Sequence, residues 1–276
     1  MKKSVSWKTS ALILPGLMGF LLFYIIPFAY SFKYALTDNP VSAVFVGLNN
    51  FRDILSKQSF VLAVKNTLKF IAVSLPLNMS IPLLLAVMIE KLDNRRRLTT
   101  VFMSPLVIPS ACIAFLFRSF FSNNGLMSYF TTENINWLKT EYSFFIAVGI
   151  YIWKNMGYNL VLYLAGLSNI PADYYEWAQA EGMGKLRFFF QIKLRYLMNT
   201  LFIVFVMSFI NSFKLYRELY MLAGDYPNEN IYMLQHYMNN QFSRLDYADL
   251  SAAAILVTVA VAAAVVMFLI AERKSA

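Results

Sequence analysis

Six stretches of this chain are apolar for long enough to suggest membrane crossings: about 11–32, 61–90, 99–121, 143–168, 197–222 and 250–271. A helix needs about 20 apolar residues to cross a hydrocarbon core of about 30 Å, and each stretch supplies them. Turn and charge clusters separate the stretches, among them Thr37-Asp38-Asn39-Pro40, Asn123-Asn124-Gly125 and Gly224-Asp225-Tyr226-Pro227. The second stretch is over-long and contains Pro76 and Pro82, which predicts a tilted or kinked helix. The first follows Lys2, Lys3 and Lys8 as a signal peptide would. It runs on to Phe32 without a small-x-small cleavage pattern, so it reads as a retained first span. No internal repeat of the inverted-repeat transporter kind is visible. The pattern predicts an all-α membrane protein of six transmembrane helices, with residues 1–276 forming a single transmembrane domain.

Composition agrees. Of the 276 residues, 59% are apolar and only 14% are charged, which excludes a water-soluble enzyme. The net charge of +9 suits nucleic acid only if the bases gather in one patch, and here they do not. They sort by loop instead. One side carries 13: Lys2, Lys3, Lys8, Lys91, Arg95, Arg96, Arg97, Lys185, Arg187, Lys193, Arg195, Arg273 and Lys274. The other carries five: Lys33, Arg52, Lys57, Lys139 and Arg244. The richer side is expected to be cytoplasmic, which puts both termini and the 91–98 and 169–195 loops there, in a multi-pass protein of the cell membrane. Cys112 lies in an apolar run and reads as a small packing residue. His236, the one histidine, does not make a metal site alone.

Residues 168–195 are more than a connection. Pro171 suits a first helical turn, and Asp173 and Glu176 place negative charge at the positive end of the helix dipole. Tyr174, Trp177, Ala178 and Glu181 recur at helical spacing, and Gly182 is placed to stop that helix. A second short helix over 185–194 should lead into the fifth span. Ala178 and Gly182, small and four apart, would admit a close neighbour. Physics alone leaves two readings open: an elbow that meets another protein, or an amphipathic helix lying on lipid, which Phe188-Phe189-Phe190 and the adjacent bases would also suit.

The residue pattern favours the first. Leu164-Ala165-Gly166-Leu167, Ile170-Pro171, Tyr175-Glu176-x-Ala178-x-x-Glu181-Gly182, Phe189 and Ile192-x-Leu194 resemble the EAA loop of binding-protein-dependent ABC importer permeases. The chain departs from that pattern at Trp177, Met183 and Arg195. Gly47-Leu48-Asn49-Asn50-Phe51, Asn66-Thr67, Trp153 and Gly157 also resemble the maltose and glycerol-3-phosphate class, in the same order. So do Phe209-x-x-Ser212-Phe213, Tyr220-x-Leu222 and Tyr247-Ala248-x-x-Ser251-Ala252-Ala253, although Gly224-Asp225-Tyr226-Pro227 stands where the family often has Gly-Gly-Pro.

The resemblance implies a type I ABC importer permease fold and a non-catalytic membrane subunit that takes up a carbohydrate, with an oligosaccharide favoured. Its implied partners are a second homologous permease, two ATPase subunits and an extracytoplasmic solute-binding protein, besides membrane lipid and without nucleic acid. It also implies ATPase coupling through Tyr175, Glu176, Trp177, Ala178, Glu181 and Gly182. The chain has no phosphate loop of its own: Gly184-Lys185 is followed by Leu186, and Gln179 stands where the leading glycine belongs. No cofactor is expected on this chain, and ATP with magnesium belongs on the partner ATPase.

Asn211, Lys214 and Glu218 fall on one face of the fifth span, with Ser208 close to the same stripe. With Asn155 and Asn159 of the fourth span they form a candidate sugar pathway, because intramembrane polar groups usually face a bundle interior or a watery cavity. A Lys214–Glu218 pair that only locks packing remains open. Lys65, Lys69 and Arg118 read as interface anchors. Among rival functions, a membrane enzyme lacks paired carboxylates or a metal-ligand motif. A secondary transporter would need coupling carboxylates, and Glu218 is the one convincing intramembrane acid. Within the ABC class, a non-sugar solute is the alternative.

Overall fold

A computed structural model describes residues 7–130 and 135–275. Among these the chain is helical, with one isolated bridge between Thr37 and Phe45. In chain order the helices are α1 (Trp7–Phe20), α2 (Ile26–Ala35), α3 (Asn49–Ser56), α4 (Gln58–Ile89), α5 (Arg95–Val107), α6 (Ser110–Phe121) and α7 (Ser143–Ser168). There follow α8 (Ala172–Ala180), α9 (Lys185–Phe188), α10 (Leu194–Tyr196), α11 (Met198–Lys214), α12 (Tyr216–Ala223), α13 (Leu234–Ser243) and α14 (Tyr247–Ser275). A π turn over Leu21–Ile25 joins α1 to α2, and another over Phe189–Lys193 joins α9 to α10. The second short helix expected over 185–194 is thus a helical run with a π turn inside it.

The chain divides into two compact units, 1–61 with 237–276, and 62–236. In the first, α14 packs along α2 and α3. Ala252 and Ala253 are fully buried, and the Tyr34 and Tyr247 rings lie 6.4 Å apart. The Asp249 carboxylate pairs with the Lys57 ammonium and accepts a hydrogen bond from the Tyr237 hydroxyl at 3.2 Å.

The second unit is built around α7. More than half of its residues are buried: Ala147, Ile150 and Tyr151 in one apolar cluster, and Leu160, Tyr163 and Leu167 in another. Helix α5 crosses it at Gly157, where a Cβ would stand 2.2 Å from the Phe102 carbonyl oxygen, so only glycine admits the crossing.

Among the described residues, four helical runs are long and apolar enough to cross a membrane: Leu12–Ala35, Gln58–Ile89, Met198–Ala223 and Tyr247–Ile270. The third expected span is not one straight helix. Helix α5 and the segment Ser110–Phe130 qualify only as a pair, bent by 95°. The break falls at Ile108, whose extended backbone (ψ 128°) is what a residue preceding proline prefers, here Pro109. The fourth expected span is α7. Its 26 residues are long enough, but Lys154, Asn155 and Asn159 dilute its apolar character. Helix α4 is continuous through both of its prolines. Cys112 is exposed on α6, while its neighbours Ile113 and Ala114 take the inward positions, so it is not the packing residue expected.

Candidate functional site: a polar cavity in the bundle and an exposed elbow

The site residues all lie in the second unit, and the structure sorts the six expected pathway residues into two groups. Asn155, Asn211, Lys214 and Glu218 line one cavity of about 270 Å³, together with Leu106, Tyr151, Lys154 and Leu215. The Asn211 amide donates to Asn155 Oδ1 at 3.2 Å, and the Asn155 amide donates to the Tyr151 carbonyl at 2.8 Å. The Glu218 carboxylate is buried, with 1% of its side chain exposed. It pairs with Lys154, not with Lys214 as the packing alternative required, and Glu218 Oε1 accepts from the Ser110 hydroxyl at 2.7 Å. Among the described residues, Glu218 Oε2 has no hydrogen-bond partner. Lys214 is exposed.

Asn159 and Ser208 are elsewhere, one helical turn along α7 and α11 and almost completely buried. The Asn159 amide donates to the Asn78 carbonyl at 2.9 Å and to the Ser208 hydroxyl at 3.1 Å. The Asn78 amide also donates to Ser208 Oγ, at 2.9 Å. The Tyr151 hydroxyl donates to the Ser208 carbonyl, so Tyr151 closes this layer while also forming a wall of the cavity. Pro82 explains the layer. Having no N–H, it leaves the carbonyl four residues back, that of Asn78, without its intrahelical partner, and Asn159 supplies the donor.

Two residues that hold Glu218, Lys154 and Ser110, are not among the expected site residues. Lys154 had a usable signal, a cation near the middle of a span beside Asn155. Ser110 had none, because only the bend at Pro109 brings it to Glu218. Lys69 stands over the Phe144 ring at 4.5 Å. His236 is fully buried and accepts at Nδ1 from the Met233 N–H, at 3.2 Å. Burial lowers its pKa to about 4, so it is neutral at pH 7 and serves packing.

The elbow is built from α8 and the turn that ends it. Gly182 has φ +61°, the Gly182 N–H donates to the Gln179 carbonyl, and the Met183 N–H donates to the Ala178 carbonyl. These two bonds define a Schellman cap, which glycine accommodates without Cβ strain. Glu176, Trp177, Glu181 and Gly182 are exposed, Tyr175 is half-buried and Ala178 is buried. Ala178 and Gly182 therefore do not share one open notch.

Helix α8 is anchored from within the unit. Tyr175 packs on Phe188 with ring centroids 5.0 Å apart, and the Lys91 ammonium stands 4.6 Å over the Tyr175 ring. Burial, and then the Glu90 carboxylate, raise the Tyr175 phenol above its usual pKa. Lys193, counted above only as a topological charge, is buried and paired with Glu90 at the end of α4. A buried pair of this kind holds only while both members are present.

Against known proteins, residues 94–274 match the model of the family described as "binding-protein-dependent transport system inner membrane component". The arabinooligosaccharides transport system permease protein AraP of Bacillus subtilis is 30% identical over 79% of this chain and 72% of its own length. The trehalose/maltose transport system permease protein MalF of Thermococcus litoralis is 28% identical over 94% of this chain and 91% of its own. A solved chain of a bacterial alginate ABC transporter, in complex with an alginate pentasaccharide-bound periplasmic protein, superposes with a TM-score of 0.82 at 23% identity, covering 97% of this chain and 94% of that one. With several apolar helices, a matching fold and a family model that fits most of its length, the chain belongs to the binding-protein-dependent transport system inner membrane components, as a multi-pass permease subunit of an ABC transporter.

Proposed function

We propose that this chain is the permease subunit of an ATP-driven importer that moves a carbohydrate, with an oligosaccharide favoured, through a single permease domain of six crossings. The cavity between α7, α11 and α12 carries the reading. Two amides, an unpaired ammonium and a carboxylate held by a second ammonium face one space inside otherwise apolar helices. Such groups match sugar hydroxyls as donors and acceptors, and polar side chains beside a void inside apolar helices suit a polar ligand. The names of the two sequence relatives, for arabinooligosaccharides and trehalose/maltose, support the same solute class.

The distribution of Lys and Arg, 13 against five, supports a cytoplasmic elbow and cytoplasmic termini. The exposed edge of α8 (Glu176, Trp177, Glu181 and Gly182) is then the surface offered to a separate ATPase. Tyr175, Ala178 and the Lys193–Glu90 pair carry its movement to α4. This chain binds no nucleotide; ATP and magnesium sit on the ATPase. A second homologous permease completes the pathway, and an extracytoplasmic binding protein delivers the sugar.

The elbow gives a test. Gly182→Pro removes the N–H that caps α8 and cannot adopt φ +61°, and Glu181→Lys reverses a charge on the exposed edge. Both variants should insert and co-purify with the second permease, yet lose sugar uptake and sugar-stimulated ATP hydrolysis. Normal uptake in both would remove the coupling role.

A further inference from the structure

The second unit contains another cavity, larger than the first. About 440 Å³ in volume, it lies beyond the end of α12, where Gly224 turns the chain at φ +78°. Arg118 and Lys139 line it, with Asn136, Asn228, Tyr220 and Tyr226. Its rim is fixed by Asn228, whose amide donates to the Lys139 carbonyl at 2.8 Å. No acidic side chain among the described residues lines this space, and Asp225, in the same turn, is not part of the lining. Neither Arg118 nor Lys139 is in an ion pair among the described residues.

Lipid anchoring, the reading their positions invite, explains a single basic side chain reaching outward. It does not explain two cations converging on one concavity furnished with amides and phenols. The same helical run, α11 followed by α12, also lines the inner cavity, where Lys154 is neutralised by Glu218 and Lys214 has no carboxylate partner among the described residues. Along this run the two cavities present four cations and one carboxylate. Arg118, Lys139 and Lys214 are exposed and so screened in part by water, but cations gathered in clefts still focus a positive potential, which a neutral sugar does not use. An anionic group does, through charge-assisted hydrogen bonds to the guanidinium and ammonium groups.

We infer that the transported solute is an anionic saccharide, a sugar bearing a carboxylate or a phosphate, which meets Arg118 and Lys139 in the outer cavity before it reaches Lys214 in the inner one. The inference rests on the carbohydrate reading above and narrows it.

The test uses the assembled transporter with its own binding protein in proteoliposomes. It is offered labelled saccharides of one to five units in three sets: neutral, uronate-containing and phosphorylated. The expected result is uptake of a uronate or a phosphorylated sugar at least about tenfold above any neutral one, and the preferred set tells carboxylate from phosphate. Uptake of neutral sugars alone, or of all sets alike, overturns the anionic class and leaves the sugar permease standing. Uptake of no saccharide from any set overturns the carbohydrate reading itself.

In the same system Arg118→Gln with Lys139→Gln should raise the KM for the anionic sugar by about tenfold or more, with the maximal rate nearly kept. Arg118→Lys with Lys139→Arg should restore it. Assembly of each variant is checked by co-purification of the partner subunits. An unchanged KM in the glutamine pair removes the outer cavity from the path.

Discussion

Two polar clusters lie one turn apart on the same two helices, α7 and α11, and they differ in kind. In the closed one, Asn159, Ser208, Asn78 and Tyr151 are all but completely buried and bonded to one another, and one of those bonds repairs the backbone gap left by Pro82. In the open one, Asn155 and Asn211 bond to each other at the wall of a cavity, Lys214 is exposed, and Glu218 keeps one carboxylate oxygen without a partner. Residue type does not separate them, since each contains asparagines at helical spacing. What separates them is exposure: Asn78 Oδ1 in the closed layer also lacks a partner among the described residues, but every member there is buried, whereas Asn211 is half-buried and Lys214 exposed at a cavity. A fully buried layer holds helices together, whereas a partly exposed one beside a void is available to a ligand.

The sharpest way to break this division is through Lys154. Lys154→Ala leaves the Glu218 carboxylate buried without its counter-charge and should cost about 3–5 kcal/mol, read as a large drop in thermal stability in detergent. Adding Glu218→Ala should recover most of that loss. If the double variant is no more stable than the single, the pair is not what Glu218 depends on.

Asn159→Leu comes next. It strands the Asn78 carbonyl and removes one donor to Ser208, at a cost of about 1–3 kcal/mol, while the folded fraction keeps its KM for sugar. A changed KM with unchanged stability would place Asn159 in the pathway.

Asn211→Ala should show the reverse. Its stability cost is below about 1 kcal/mol, because its one partner, Asn155, also lies at the cavity, and uptake should fall about tenfold. A large stability loss with normal uptake would move Asn211 into the structural class.

Much of this was legible in the sequence, and the gaps have physical causes. Four of the six expected crossing segments follow from length and apolarity among the described residues, and the boundaries of α7, 143–168, follow from the pattern too. Yet α7 is not among the four helical runs apolar enough to cross, because Lys154, Asn155 and Asn159 interrupt it, and a central post surrounded by protein has no need to match lipid. The stop at Gly182 was legible because a left-handed turn after a helix calls for glycine. The bend at Ile108 had a signal in Pro109 but was lost inside a continuous apolar run. Asn159 and Ser208 were grouped with the cavity residues because helical spacing reports which face a residue occupies, not whether that face is packed. Their separation depends on Asn78, a partner 81 residues away that Pro82 implies only once the freed carbonyl is traced. Lys193 looked like a loop charge because its partner, Glu90, is distant in sequence.

Accessibility to a small, charged thiol reagent tests the division most directly. With Cys112, the chain's one cysteine, replaced by serine, single cysteines are placed at Asn211, Lys214, Asn159 and Ser208 and the transporter is assembled with its partner subunits in proteoliposomes. Rapid labelling is expected at 211 and 214, slowed by the transported sugar, with no labelling of the folded protein at 159 and 208. Equal labelling of all four, or sugar protection at 159 and 208 alone, would contradict the division.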